Sequence, residues 1–170
     1  MPSQDFTFDQ WQQWISRQAK VMGQAGVEAL RATAHQFKAR VVDNIRNAEP
    51  RPAVDTGELA RSEKVMLLAD GASVENTAPH AAVMEHGARP FTPPMAPLLA
   101  WASRKSRGHT RPGSKRESAA RLLARRAWVA IRRRGIEGRH FHAKALEHVP
   151  QILESEVRKA IRKFFTGGRK

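Results

Sequence analysis

A cluster of histidines is the first group of residues whose types could do chemistry. His140, His142 and His148 lie close together, and Glu147 precedes the last of them. A His-x-His pair can place two imidazoles on one face of a strand, but a metal site needs three or four ligands. His148 falls in a segment with helical periodicity, and no cysteine or aspartate joins the group. We therefore predict histidines without a metal or catalytic role; a ribonuclease-like toxin that uses His140 or His142 is the alternative.

Two carboxylates are the next candidates for chemistry. Asp55 and Glu85 are thirty residues apart, and that separation says nothing about their distance in space. We assign Asp55 to a turn and Glu85 to a helix end or to pairing between subunits. The chain contains no phosphate-cradling loop, no Gly-x-Ser-x-Gly elbow and no paired-histidine helix motif. The sequence thus predicts a protein that is not an enzyme and has no cofactor.

The clearest signal is positive charge. The chain has a formal net charge of +14, and residues 101–140 hold thirteen lysines and arginines against two glutamates. Such a segment attracts nucleic acid or an acidic protein surface, whereas the simplest alternative is a solvated helix face beside a basic loop. Trp101 and Trp128 are too few rings for the alternation with cations that is typical of single-strand binders. The candidate contact residues are Arg104, Lys105, Arg107, Arg111, Lys115, Arg116, Arg121 and Arg125.

Composition bounds the kind of protein. A chain of 170 residues with 41% hydrophobic content suits one domain over residues 1–170, with a Pro- and Arg-rich excursion at about 88–116. The absence of cysteine excludes disulfides and thiolate zinc sites and fits a reducing cytoplasm. No run approaches eighteen apolar residues, and the first residues lack a signal-peptide pattern. We expect a soluble protein, made in the cytoplasm, that does not enter a membrane.

A long helix is the first element that must position these residues. Thr7 and Gln10 resemble a capping box, and apolar residues then recur at helical spacing. The pattern predicts one helix to about Asn47, or two helices that break near Gly23 and Gly26. Two prolines follow the predicted end and cannot continue the helix.

A β-hairpin is predicted next. Asp55-Thr56-Gly57 is a turn signal in which the aspartate bonds backbone two residues on and the glycine takes positive φ. Residues 63–69 and 72–75 read as strands, because Asp70-Gly71 between two apolar runs favours a tight turn. Gly87 ends a short apolar helix at 79–86, and we expect positive φ there as well.

The rest of the chain is predicted to be mainly helical. Prolines exclude a regular helix at 88–97, a short helix is predicted at 98–105, and 106–114 reads as a loop. An apolar stripe in residues 116–134, with arginines elsewhere, predicts an amphipathic helix that ends at Gly135.

A closing helix at 142–165 completes the order, with Pro150 as a kink or a restart. The prediction is an α+β fold with a long N-terminal helix, a small antiparallel sheet built on the hairpin, an Arg-rich helix and a closing C-terminal helix. Two strands make a poor sheet. We therefore expect a third strand at 90–92, at 139–141, or from a neighbouring subunit.

In this order, the motifs resemble the tail-component family of tailed bacteriophages. The resemblance covers residues 8–165: an Asp-Thr-Gly-x-Leu-x-x-Ser stretch, a hairpin, a Pro-x-Ala step, a Glu-x-Gly step and a late aromatic before Ala-Leu. The chain departs from the family at His80, where Tyr is usual, and at His140, where Pro is common. The matching residues are Asp55, Thr56, Gly57, Leu59, Ser62, Ala81, Glu85, Gly87, Phe141, Ala145 and Leu146.

The resemblance implies a virion structural protein of the neck or tail-completion type. Such a protein would form a homo-oligomeric ring, sixfold as first choice and twelvefold as second, at the head–tail junction or the head-proximal end of the tail. It would surround the DNA channel, adjoin other neck and tail-tube proteins, and assemble in the host cytoplasm. We expect the helix arginines to meet carboxylates of a protein neighbour and the loop at 106–114 to face the DNA. The competing class is a basic, non-specific DNA-binding accessory protein.

Overall fold

The fold is α+β and mainly helical, as predicted. A computed structural model describes residues 8–48, 55–106 and 115–166. Within them lie α1 (Phe8–Arg46), α2 (Glu58–Arg61), β1 (Glu63–Leu67), β2 (Ala72–Asn76), α3 (Ala81–His86), β3 (Gly87–Ala88), α4 (Met95–Ser106), α5 (Lys115–Arg134), β4 (Ile136–Glu137), α6 (Phe141–Leu146) and α7 (Val149–Thr166).

These elements belong to two compact units, and the chain passes between them more than once. The first unit comprises the described residues of Met1–Asn44, Ser62–Thr77 and His142–Lys170. The second comprises the described residues of Ile45–Arg61 and Ala78–Phe141. The hairpin therefore belongs to the first unit, and α4 and α5 belong to the second.

Helix α1 is continuous through Gly23 and Gly26, so the alternative of two helices is wrong. Glycine in a helix interior costs only about 1 kcal/mol relative to alanine, which a buried stripe on the same helix can offset. That stripe repeats every four residues. The buried stripe includes Ala25, Ala29, Phe37, Val41 and Ile45. The predicted cap of this helix at Thr7 lies outside the described residues.

Small side chains join α1 to α7 in the first unit. Ala25 and Ala29 form a buried cluster with Ala160, and Val157 packs against it. Polar contacts flank this seam: Gln36 Nε2 donates to Glu156 Oε1 at 2.7 Å. Alanines at the contact let the two backbones approach closely, so the seam depends on shape rather than on large apolar side chains.

The hairpin forms as predicted, with a register from Glu63 opposite Asn76 to Leu67 opposite Ala72. Its first strand ends at Leu67 rather than at residue 69. The Leu68 amide donates to the Gly71 carbonyl at 3.0 Å, so Leu68 already belongs to the turn.

A second two-stranded ladder replaces the predicted third strand. β3 pairs antiparallel with β4, and among the described residues it is separate from the hairpin. The prediction of a strand at 90–92 or 139–141 within the chain is therefore wrong. Gly87 and Gly135 explain the pairing: a Cβ at Gly87 would lie 2.5 Å from the Ile136 carbonyl oxygen, and one at Gly135 would lie 2.0 Å from that of Ala88. Only glycine permits so close a backbone approach.

Turn and helix-end predictions are largely confirmed. Gly57 and Gly87 have φ of 77° and 79°. α5 ends before Gly135. The closing helix is interrupted between α6 and α7, with Pro150 as the second residue of α7, which is the predicted restart. In the described part of the chain, no helix is long and apolar enough to cross a membrane.

Helices α4 and α5 make up most of the second unit. Ala102 of α4 forms a buried cluster with Ala120 and Ala124 of α5, and Leu98, Leu99, Trp101 and Leu123 pack against it. Trp128 Nε1 donates to the Pro93 carbonyl at 3.0 Å, which ties α5 to the proline-rich segment before α4. One side of α5 therefore packs in the core of its own unit.

Candidate functional site

A buried carboxylate is the main polar feature of the first unit. The Glu63 side chain is fully buried at the start of β1. It accepts hydrogen bonds from Asn76 Nδ2 at 2.8 Å and contacts His142 Nε2 at 2.9 Å. Asn76 lies opposite Glu63 in the hairpin, and His142 comes from α6. The His142 ring lies 6.1 Å from that of Phe37 in α1, so the network joins three segments of the unit.

This network holds the hairpin to the helices. A carboxylate oxygen accepts hydrogen bonds, so the tautomer of His142 that carries its hydrogen on Nε2 donates to Glu63. The remaining histidines stand differently: His140 is exposed with a φ of 54°, and its amide donates to the Glu85 carbonyl at 3.1 Å. Within the described residues no three His, Cys, Asp or Glu side chains are placed to hold a metal ion. The sequence placed His142 in a histidine cluster and missed its partner Glu63.

Asp55 and its neighbours form a turn that is tied to α4. Thr56 Oγ1 accepts from the Glu58 amide at 3.4 Å, so the threonine makes the backbone bond assigned to Asp55. The Asp55 carboxylate accepts from Arg104 Nε at 3.0 Å. This bond raises the pKa of Arg104 above its usual value. Arg104, a candidate contact residue, therefore has its charge balanced within the chain.

The residues that carry the resemblance lie mostly at turns and in the core. Leu59 and Phe141 are buried, and so is Ala145. The Ser62 carbonyl accepts from the Thr77 amide at 3.1 Å and closes the base of the hairpin. Leu146 is the exception, because 57% of it is exposed.

The basic candidates divide into three groups. Lys105, Arg121 and Arg125 are exposed. Arg107 and Arg111 lie outside the described residues, as does most of the loop at 106–114. Lys115 and Arg116 begin α5.

Three arginines of α5 were missed as candidates: Arg126, Arg133 and Arg134. With Arg125 they line a shallow, open depression together with Leu122, Val129 and Ala130. The seven lining residues recur at intervals of three and four, and this helical spacing was the signal that could have identified the arginines.

The tip of the hairpin exposes apolar side chains. Met66 and Leu67 are 45% and 59% exposed, and Leu68 is exposed beside them. Successive side chains of a strand point to opposite faces. Exposure of both Met66 and Leu67 therefore means that the described residues cover neither face of the tip fully.

Comparisons of the chain with models of protein families, with curated proteins and with solved structures found no match. The resemblance to phage tail components accordingly rests on the residues themselves.

Proposed function

We propose that this chain is a structural protein of a tailed bacteriophage or prophage. Copies associate into a ring at the head–tail junction or at the head-proximal end of the tail, around the DNA channel. The protein performs no chemistry, and its mechanism is assembly.

The hairpin tip is the observation that carries this proposal. Met66 and Leu67 expose apolar surface on opposite faces of a strand, and among the described residues the hairpin sheet has only its own two strands. Open strand edges and exposed apolar side chains favour pairing with another chain. A contact between different surfaces of identical copies closes into a ring when its rotation allows.

The role of the motif residues supports the same proposal. Gly57 and Gly87 take positive φ, while Leu59 and Phe141 are buried. A resemblance carried by turns and core residues concerns a shared architecture rather than a catalytic site. Motif residues in turns and in the core are what we expect of a structural protein.

Sedimentation velocity of the purified, nuclease-treated chain tests the proposal. We expect a discrete oligomer without nucleic acid, visible as an annulus by negative-stain microscopy. A double variant, Met66→Ser with Leu67→Ser, should shift the chain towards monomer because it removes exposed apolar surface without touching the core. Leu146→Ser is the matched control, since Leu146 is exposed to the same extent as Leu67.

The second candidate is a basic, non-specific DNA-binding accessory protein, which the thirteen cations of residues 101–140 favour. It predicts a monomer that forms large species only when DNA is added, with affinity that falls steeply as salt rises. That result in the same experiment would replace the ring proposal.

A further inference from the structure

The side of α5 that faces away from α4 carries an ordered pattern of charge and apolar surface. Leu122 lies at one end, and apolar side chains recur at Val129 and Ala130. Between and beyond them stand two pairs of arginines, Arg125 with Arg126 and Arg133 with Arg134. We call these seven residues the arginine stripe. The stripe thus alternates between apolar layers and arginine layers. Two layers of the same kind are seven or eight residues apart in the sequence, or about 10–12 Å along the helix.

The stripe is not part of the core of its own unit. α5 packs on α4 through Ala120 and Ala124, which lie on the opposite side of the helix from Leu122 and Val129. Leu122 is 52% exposed, and all four stripe arginines are exposed. A helix face that combines exposed leucine with unburied arginine gains nothing from folding alone.

The positive charge of the stripe is also not balanced by ion pairs with the residues that the structure describes. Some cations elsewhere have partners: Arg104 pairs with Asp55, and Lys163 pairs with Glu28 at 3.0 Å. None of the four stripe arginines forms an ion pair with any residue that the structure describes. Four close cations repel one another, so a bound partner that supplies negative charge would stabilise this face.

We propose that the arginine stripe is the docking site for an acidic amphipathic helix of a different protein. Leucine-like side chains of that helix would pack between the two arginine pairs, on Leu122, Val129 and Ala130. Glutamates or aspartates at the intervening positions would accept paired hydrogen bonds from the guanidinium groups, a geometry that arginine makes better than lysine. An amphipathic helix laid on a groove presents its anchors at this spacing. The proposal does not rest on ring formation, because it concerns one chain and a partner of another sequence.

A second copy of this chain does not fit the stripe. Both glutamates of its C-terminal helix α7 are already paired, Glu154 with Arg158 at 2.6 Å and Glu156 with Lys159 at 2.6 Å. Two copies of the stripe would bring like charges together.

Nucleic acid fits the stripe less well than an acidic helix. A phosphate backbone pairs with the arginines but leaves the exposed Leu122 and the partly exposed Val129 without an apolar partner. The apolar layers are therefore the feature that separates the two partners, and a variant of Leu122 can test it.

Fluorescence anisotropy with defined probes tests the docking site on the full chain. The first probe is a labelled helical peptide of about 20 residues with leucines at heptad spacing and glutamates between them. A second peptide has lysine in place of every glutamate, and the third probe is a DNA duplex of about 20 base pairs. We expect the acidic peptide to bind and the lysine peptide not to bind.

Two variants locate the binding. The double variant Arg126→Glu with Arg133→Glu should weaken the acidic peptide by roughly 10- to 100-fold, since it replaces attraction with repulsion. Leu122→Ser should weaken the peptide by roughly tenfold because it removes apolar contact area, and should leave DNA binding unchanged. The charge-matched control is Arg40→Glu with Lys144→Glu, two exposed cations outside the stripe, and it should change peptide affinity by less than about twofold. If the double variant does not fold, as judged by circular dichroism, Arg126→Gln with Arg133→Gln replaces it.

Three results would overturn the docking site. One is no binding of the acidic peptide, and another is equal weakening by the stripe and control variants. The third is a loss of DNA binding in the arginine variants together with no effect of Leu122→Ser on any probe, which would assign the stripe to nucleic acid. Sedimentation of the same variants tests the ring and the docking site separately. If the stripe variants still form the ring but no longer bind the peptide, both proposals are supported.

Discussion

Removal of the Glu63 carboxylate should destabilise the first unit strongly. The side chain is fully buried and is held by Asn76 at 2.8 Å and by His142 at 2.9 Å. Glu63→Ala removes both contacts at once. It also removes the contact with His142 that links the hairpin to α6, an element distant in the chain.

The magnitude follows from the two hydrogen bonds. A hydrogen bond to a charged group contributes about 1.5–3 kcal/mol, so two bonds set an upper range of roughly 3–6 kcal/mol. The variant no longer desolvates a carboxylate, which returns part of that free energy. His142 is 27% exposed, so its ring nitrogen can bind water after the substitution. We expect a loss of about 3 kcal/mol in the free energy of unfolding for Glu63→Ala, and about 1–2 kcal/mol for Glu63→Gln, which keeps one acceptor.

Thermal and urea unfolding at one fixed protein concentration measure this loss, because association would make the midpoint depend on concentration. For a chain of this length, 3 kcal/mol corresponds to a fall in Tm of roughly 6–12 °C. A double-mutant cycle with His142→Ala should give a coupling free energy of about 1–2 kcal/mol, as for groups in direct contact. Glu75→Ala is the control: it removes an exposed glutamate from the same hairpin and should cost less than about 0.5 kcal/mol.

Either of two results would refute this reasoning. If Glu63→Ala unfolds within about 0.5 kcal/mol of the unmodified chain, the network does not stabilise the unit. If the losses in free energy of unfolding for Glu63→Ala and His142→Ala simply add in the double variant, the contact between the two side chains contributes nothing to stability, even if each side chain contributes by itself.

Three further outcomes are expected. Gly135→Ala should lower the free energy of unfolding in urea by at least roughly 2 kcal/mol, because φ is 76° and the new Cβ would meet a backbone oxygen at 2.0 Å. Gly23→Ala is the control: it lies on the open surface of a helix and should raise the free energy of unfolding by about 0.5–1 kcal/mol. The hydrogen bond from Lys159 lowers the pKa of Glu156. The pair therefore stabilises the fold at any pH above the usual pKa of a glutamate, and this stabilisation is lost as the pH falls through the lowered pKa. Lys159→Met should therefore destabilise the chain slightly at neutral pH and not at strongly acidic pH, and a constant difference across a pH series of unfolding midpoints would contradict the assignment. Trp128→Phe should cost about 1 kcal/mol through the lost hydrogen bond at 3.0 Å, measured by the same unfolding assay, and no change would mean that water replaces it.

Most of the local structure could be predicted from neighbouring residues. The Asp70-Gly71 turn, the positive φ of Gly57 and Gly87, and the end of α5 at Gly135 depend on the conformations open to a few residues in succession. The cationic nature of residues 101–140 follows from composition. The α+β class follows from the order of periodic segments, and each of these features is a property of short stretches of chain.

The pairing of distant segments could not be predicted in this way. Glu63 meets His142 across 79 residues, and β3 pairs with β4 because two glycines let the backbones approach. The helical spacing of α5 shows which arginines share a face with Leu122, but packing on α4 decided that this face stays exposed. Local conformational preferences act within a few residues, whereas these contacts are selected by burial and close packing of the whole unit. The sequence alone therefore determined most of the elements and the charge, and tertiary packing decided which side chains were buried together and which surface remained exposed.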